Sequence, residues 1–453
     1  MSLDLATAAA PLRRRTLLAY GIGDAGTGMA AALVGFYLFL FYTAVAGLPA
    51  WIAGSVMMLV RIWDVLSDQW IGWLSDRSRH PLGPRIPWML AAALPLGLSM
   101  ALLWWLPPFT GSWRLLWFVL VASLFQACYS GVNLPYSALA TELTGNTSLR
   151  TRLNSLRFTG SVLASLLGLV LGARLTPDGA HGYLLMGCSA GLLLSVGSGL
   201  SGVGLAPAAR ACRRPQPQQA SLLKQLRQLL PNRRFRQVVL LYLLIWGALQ
   251  LMQPVAIIYL SDVMHLPHSW SSAVLIPFQL SALLGLWIWN SVANRSNRLL
   301  ALRIGASCWI VFCLIALVQP SLDGQLPPLA TANRWPLALL LTSVLSLGLS
   351  ASTAYLLPWA FLPDAVDAQP HHPAGLITSF MVQIQKLGSA VSVFLLGLLL
   401  SWGGYNASLA SAQPPSAILM IRLCMGLLPA VLVLLSLLVM RRWQPFSAHT
   451  PAA

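Results

Sequence analysis

Long apolar runs separated by short polar breaks dominate the chain. A helix needs about 20 apolar residues to cross a bilayer. Runs of that kind recur twelve times, at 17–46, 51–75, 86–107, 113–141, 152–175, 183–206, 236–262, 270–293, 299–319, 335–363, 374–402 and 416–440. The pattern predicts an all-α membrane protein of twelve transmembrane helices. The longest polar stretch, from Pro207 to Arg236, is rich in Pro, Gln and Arg and divides the chain into six segments on either side. The expected organisation is therefore an N-terminal half (1–206), a middle loop (207–235) and a C-terminal half (236–453). Within that loop, Ser221–Leu230 is predicted to form an amphipathic helix on the cytoplasmic surface.

Composition agrees with the pattern. The 453 residues are 57% hydrophobic and 9% charged, against about 25% charged in soluble domains. The net charge of +17 raises the question of nucleic acid, and its distribution answers it. Lys and Arg gather at Arg13–Arg15, Arg77/Arg79/Arg85, Arg150/Arg152, Arg210 to Arg236, Arg295/Arg298/Arg303 and Arg441/Arg442, while the odd-numbered loops hold Arg114, Arg174 and Arg334. The positive-inside rule then puts both termini in the cytoplasm, in a multi-pass protein of the inner (plasma) membrane. The basic excess is a topology signal, with contact to anionic lipid secondary, and no nucleic-acid partner is expected. The first segment is too long for a cleavable signal and lacks a cleavage site. The six cysteines show no metal-ligand spacing and read as packing residues. His371-His372, beside Asp364 and Asp367, reads as solvated loop rather than metal site, and no cofactor is expected.

Against this background one string stands out: Arg61-Ile62-Trp63-Asp64-Val65-Leu66-Ser67-Asp68, inside the second segment. Residues at i and i+4 share a helical face, so Asp64 and Asp68 point the same way. A charged side chain at the bilayer centre costs about 2.5–3.5 kcal/mol on insertion scales, and the two acids repel each other. A cation between them resolves both problems.

The halves echo each other. Gly72-Trp73-Leu74-Ser75-Asp76-Arg77, then Arg85, follows segment two; Trp289-Asn290-Ser291-Val292-Ala293-Asn294-Arg295, then Arg303, follows segment eight. Leu134-Pro135-Tyr136 in segment four matches Leu357-Pro358-Trp359 in segment ten. Such repeats belong to duplicated transporters, which bind substrate between the repeats near the midplane.

The set Tyr20-Gly21-Ile22-Gly23, Arg61-Ile62-Trp63-Asp64 with Asp68, Pro135-Tyr136, and Lys386-Leu387-Gly388 resembles the glycoside–pentoside–hexuronide:cation symporters of the major facilitator superfamily. The vertebrate sodium-dependent lysophospholipid transporter is a relative of that family. The resemblance implies the major facilitator fold, in two six-helix halves. It implies that Asp64 and Asp68 bind the coupling cation with Ser130, and that Arg61 and Lys386 are their charge partners. It places Arg157 near the sugar site, and Asp76, Arg77 and Arg85 in a cytoplasmic gate, with Arg295 as the counterpart in the second half. The substrate region departs from the family. The sugar transporters' acid after the first motif is Gly28 here, with Asp24 one turn earlier. A second acid is Asn133, and the sugar-stacking tryptophan is Ser137. Gly28 and Ser137 are expected to leave room and remove charge. The string Pro135-Tyr136-Ser137-Ala138-Leu139 is closer to the lysophospholipid branch.

Other polar or aromatic residues inside segments are Trp246, Gln250, Gln253, Tyr259, Tyr355, Trp359, Gln383 and Gln385. Of these, Gln253, Trp359 and Gln383 join Asp24, Gly28, Asn133, Tyr136, Ser137 and Arg157 as the expected substrate contacts. Gly21-Ile22-Gly23-Asp24 also matches the Gly-x-Gly-Asp string of intramembrane aspartyl proteases, but the Tyr-Asp partner and the Pro-Ala-Leu segment are absent. An enzyme is not expected. The expectation is a monomeric symporter of a small organic solute, a sugar or glycoside first and a lysophospholipid second. A non-transporting receptor is the remote alternative. Carboxylates serve sodium and protons alike, so the coupling ion is left as Na+ or H+.

Overall fold

The computed structural model describes residues 14–144, 147–210, 231–322, 335–366 and 374–443, and no strand occurs among them. The helices are α1 (Arg14–Gly23), α2 (Ala25–Leu40), α3 (Ala50–Arg77), α4 (Ile86–Leu103), α5 (Ser112–Leu143), α6 (Thr147–Leu175), α7 (Gly179–Ala209), α8 (Arg233–Ile258), α9 (His268–Ala273), α10 (Leu275–Arg295), α11 (Arg298–Val318), α12 (Trp335–Ala351), α13 (Thr353–Val366), α14 (Ala374–Trp402), α15 (Pro415–Met425) and α16 (Leu427–Met440). Among the described residues, eleven segments are long and apolar enough to span a membrane. One of them, Arg152–Ala209, takes in α6 from Arg152 onward and all of α7, joined by one 3-10 turn at Thr176–Asp178. The expected amphipathic helix at Ser221–Leu230 lies outside the described residues.

Several predicted segments are broken rather than continuous. The first breaks at Asp24, the eighth at Val274, the tenth at Ser352 and the twelfth at Gly426. Prolines inside α4 (Pro95), α5 (Pro135) and α8 (Pro254) leave those helices unbroken. Each still removes one backbone donor, which buried neighbours must absorb in a membrane helix.

The chain forms two compact units, and the division runs through two helices. One unit takes Met1–Val34 and Trp63–Gln218; the other takes Gly35–Ile62 and Gln219–Ala453. In the first unit, α4 and α7 meet through small residues. A Cβ on Gly97 would lie 1.9 Å from Ser195 Oγ and 2.3 Å from the Gly191 carbonyl. The Ser195 hydroxyl donates to the Ala93 carbonyl at 3.0 Å. Lipid tails give helices no hydrophobic reason to associate, so close backbone approach through such residues supplies the packing.

In the second unit, α8 runs through a core built from Val238, Leu241, Ile245, Trp309 and Phe361. Two chain segments here end alike. After α2, residues Phe41–Val45 form a π-helical turn; after α8, Tyr259–Val263 do the same. The Ala46 and Leu48 amides close on Phe41 and Tyr42, and the Met264 and Leu266 amides close on Tyr259 and Leu260. Gly47 and His265 then take positive φ, 67° and 55°. At the same spacing, α3 (Ala50–Arg77) matches α9 and α10 (His268–Arg295) from end to end. The repeat foreseen from short echoes is therefore carried by backbone geometry.

The Gly97 contact predicts a sharp contrast. Gly97→Val should cost about 1–3 kcal/mol or more of overpacking, because a backbone carbonyl blocks the new side chain. Gly72→Ala, with nothing within 4 Å of its Cβ, should be tolerated. Yield of monodisperse protein and its thermal midpoint check this; equal behaviour of the two variants would refute the close α4–α7 crossing.

Candidate functional site

Two polar clusters lie inside the first unit. The first joins α3 and α5. Asp64 and Asp68 are one turn apart on α3 and are buried, at 0% and 5% exposure, with Ser130 of α5 at 2%. Ser130 Oγ stands 2.6 Å from Asp68 Oδ1 and 3.2 Å from Asp64 Oδ1. Ser67, between the acids in sequence, turns its hydroxyl to the Asp64 carbonyl at 3.1 Å. Trp63 Nε1 donates to the Ser123 carbonyl at 3.1 Å, a second tie between α3 and α5. Pro135, beyond Ser130 on α5, removes the amide that would bond the Gly131 carbonyl.

The chemistry follows from counting protons. A serine carries one donor, and Ser130 faces two carboxylate oxygens. It donates to one of them and meets the other lone pair to lone pair. The arrangement is comfortable when one carboxyl is protonated or when a cation lies among the three oxygens. Hard oxygen donors of this kind suit sodium and protons alike.

The second cluster is set where the first span breaks. Asp24 sits between α1 and α2. Arg157 of α6 pairs with it, Nε to Oδ2 at 3.1 Å, and reaches Asn133 Oδ1 through Nη2 at 3.2 Å. The Thr27 hydroxyl donates to Asp24 Oδ1. Tyr136 stacks on Tyr20 with ring centroids 4.6 Å apart, donates its hydroxyl to the Tyr20 carbonyl, and lies under the Arg157 guanidinium at 5.2 Å. Five expected or motif residues (Tyr20, Asp24, Asn133, Tyr136 and Arg157) thus meet, with Thr27 added. Thr27 is legible in hindsight as the hydroxyl residue one turn past an intramembrane acid. Asp24 is held by a guanidinium, unlike an acid sharing a proton in a protease dyad.

One expectation, open space at Gly28, fails in this region. Gly28 leaves no room for substrate. A Cβ there would stand 2.2 Å from both the carbonyl and the hydroxyl of Ser161, so the glycine exists to let α2 and α6 touch. Ser137 donates its hydroxyl to the Leu134 carbonyl at 2.9 Å, which commits its proton within its own helix and leaves its lone pairs to accept.

At the end of α3 lies a third group. Arg85 binds Asp76 Oδ1 at 2.6 Å, Glu142 Oε1 at 2.9 Å and Ser75 Oγ at 2.7 Å. Arg77 is apart from it, exposed and stacked over Trp73 at 3.9 Å. Sequence neighbours are about 100° apart on a helix, so Asp76 and Arg77 face different ways. Glu142 was missed; as the only acid at that end of α5, beyond the apolar run, it reads as a boundary residue. Burial pushes its carboxyl up, Arg85 pulls it down and Asp76 raises it further.

In the second unit, Arg295 is exposed, and it is Arg298 that donates to the Ala360 carbonyl at 2.8 Å. Trp359 packs edge-on against Tyr242 at 5.7 Å, and Trp246 against Tyr355 at 5.2 Å. Trp246 Nε1 donates to Ser389 Oγ at 3.0 Å, and Gln253 meets the Tyr355 hydroxyl. Gln383 is half-buried with no hydrogen-bond partner on its side-chain oxygen. Arg61 and Lys386 are half-buried members of this unit. His371-His372 and Asp367 lie outside the described residues. Among the described residues, no cluster of three or more His, Cys, Asp or Glu is placed to hold a metal.

Known proteins resemble the chain over almost its whole length. An uncharacterized symporter of Synechocystis sp. is 32% identical, over 92% of this chain and 92% of its own. The sodium-dependent lysophosphatidylcholine symporter 1 of Xenopus tropicalis is 24% identical, over 93% of this chain and 85% of its own. A bacterial homolog of the human lysosomal transporter Spinster shares the fold, with a TM-score of 0.70 at 13% identity, covering 96% of this chain and 100% of that one. A family model described as MFS/sugar transport protein matches residues 19–445. With a buried carboxylate pair on one membrane helix, an ion-paired polar cluster beside a second, and that match, the chain belongs to the MFS/sugar transport protein family: it is a multi-pass membrane transporter of the major facilitator superfamily, and not an enzyme.

Proposed function

We propose that the protein is a cation-coupled symporter of a small organic solute, working by alternating access, with Asp64, Asp68 and Ser130 as the cation site. The observation that carries this reading is one hydroxyl proton set between two buried carboxylates on one helical face. The internal repeat adds weight. At the spacing that superimposes the two π-helical ends, the second repeat has Ala282 and Leu286 where the first has Asp64 and Asp68. A helical span of the same overall length, broken once at Val274, forms without the acids, so helix formation does not account for them. Arg61 and Lys386 are kept, on the sequence, as the counter-charges of the unloaded state. The ion is sodium or a proton, and differential affinity of the two conformations for ion and solute gives the coupling.

For the solute, the family description points to a sugar or glycoside. The Asp24–Arg157–Asn133 cluster supports a polar ligand, since Asn133 offers both donor and acceptor and Arg157 has five N–H groups. A lysophospholipid is the second reading, favoured by the full-length likeness to the lysophosphatidylcholine symporter and by the single acid at Asp24. The basic loops support cytoplasmic termini in the inner membrane, and a monomer suffices for the mechanism.

Asp64→Asn and Asp68→Asn should lower ion-gradient-driven accumulation in proteoliposomes at least about 100-fold, equivalent to about 2.7 kcal/mol, while the protein stays folded in the membrane. Normal accumulation by both variants would sink the cation site. Counterflow with competitor panels separates the substrates: a glycoside should compete and Arg157→Leu should abolish it, whereas competition by lysophosphatidylcholine alone would select the second reading.

Glu142 yields a pH prediction. Its folded-state pKa is raised by burial, so its stabilising contribution is present below the ordinary carboxylate range and is lost as pH rises through the raised value. Glu142→Gln removes that loss. The thermal midpoint of the variant relative to the parent should therefore climb as pH rises from acidic to neutral; a difference independent of pH would show that Glu142 does not titrate there.

A further inference from the structure

Residues Gly35–Ile62 precede the middle loop, yet they pack with the second unit. Three stretches meet there: Phe41–Val45 after α2, Tyr259–Val263 after α8, and residues 405–413 between α14 and α15. None of the three holds Lys or Arg, and Asp262 is their only acid. They therefore lie at the end opposite the basic loops. Just inside them, α3 and α14 touch at backbone distance. A Cβ on Gly54 would stand 2.9 Å from the Val393 carbonyl, and one on Gly397 would stand 2.5 Å from the Ala50 carbonyl. The Trp51 amide donates to Ser401 Oγ at 2.9 Å.

Asp262 is 7% exposed, and no Lys or Arg pairs with it among the described residues; His265 and Tyr405 are its titratable neighbours. A buried carboxylate without a close counter-charge is costly unless donors surround it. Ser261 gives its hydroxyl to Oδ1. Gln413, 6% exposed, donates from Nε2 to Oδ2 at 3.2 Å. The same Nε2 donates its second proton to the Asn406 carbonyl at 2.8 Å, and Oε1 accepts from the Asn406 amide at 3.2 Å. Gln413 thus closes residues 406–413 into a loop and pins it on Asp262. At the start of that loop the Tyr405 hydroxyl meets Thr43. Thr43 gives its own proton to the Phe39 carbonyl at 3.0 Å, so Tyr405 is the donor. A polar path therefore runs from the end of α8, through the loop, to the end of α2.

The backbone marks the same place. His265 and Ala410 are the two non-glycine residues with positive φ among the described residues, at 55° and 46°. Such conformations persist where the surroundings over-determine them, and they gather at clamps and switches. We infer that Asp262, acting through Gln413, is a positioning residue that holds this end of the transporter shut. The inference rests on the alternating-access reading, in which opening this end carries Gly35–Ile62 away from the second half. The Tyr405–Thr43 contact and the α3–α14 seam join the two halves of the sequence, so they break on opening. The Asp262–Gln413 bond lies wholly in the second half. It survives the opening and keeps the loop shaped to present Tyr405 again on closing.

Labelling by a membrane-impermeant maleimide, with the full chain in lipid nanodiscs, tests this. The reporters are Ala50→Cys in α3 and, independently, Val393→Cys in α14, at positions 2% and 4% exposed; labelling of the parent without a reporter is subtracted. Gln413→Ala and Asp262→Leu should each speed labelling of both reporters by about tenfold, the size expected when a hydrogen bond to a charged group is lost. Asp262→Asn keeps an oxygen that accepts from Gln413 and should label near the parent's rate, a rescue that general destabilisation would not give. Parental rates in both Gln413→Ala and Asp262→Leu would overturn the assignment. So would fast labelling of Asp262→Leu with Gln413→Ala at the parent's rate, which would show that the acid does not act through the amide. The measurement uses neither ion nor solute. Normal accumulation by the Asp64 and Asp68 variants alongside the expected labelling contrast would therefore remove the cation site and leave this closure standing.

Discussion

One serine hydroxyl placed between two buried carboxylates is the constraint on which the rest depends. At an effective dielectric of about 20, two carboxylate charges about 5 Å apart repel by roughly 3 kcal/mol. Ser130 offsets that for one acid at a time, because it has one proton to give. A proton or a hard cation among the three oxygens relieves the pair further than one hydroxyl can. In a transporter this converts an energetic burden into a drive, since the conformation that best supplies or releases that charge is favoured by the ion gradient.

The surrounding architecture keeps the burden in place. The Trp63 bond to Ser123 and the Ser130 contacts tie α3 to α5 at two levels, and glycine-mediated contacts such as Gly97–Ser195 and Gly28–Ser161 lock helices at backbone distance. The second repeat shows the contrast. It keeps the π-helical end, the positive-φ residue and the length of the helical span, broken once at Val274, and has Ala282 and Leu286 in place of the acids. Duplication supplied the scaffold twice; the chemistry of the acid pair was kept or gained once.

Much of this was legible in the residues, and the misses have physical reasons. Apolar run length located the membrane helices because a bilayer demands about 20 apolar residues. It did not reveal the breaks at Asp24 or Ser352, where no proline marks them and tertiary packing sets the geometry. The i, i+4 spacing of Asp64 and Asp68 brought them to one face, and Ser130 came from the family resemblance. Gly28 was misread because a glycine is equally consistent with open space and with a contact too close for a Cβ; only Ser161 distinguishes them. Arg77 was grouped with Asp76 by the family resemblance, although one residue along a helix changes the face. Glu142 was passed over because a polar residue at the end of an apolar run looks like a solvated boundary until burial is known.

The acid pair as cation site is tested most directly by thermal unfolding of the purified protein, titrated with sodium chloride against matched choline chloride and, separately, with pH. The parent protein should show a saturable dependence on sodium or on protons that Asp68→Asn loses. A parent indifferent to both ions, or a variant that responds as the parent does, would contradict the account.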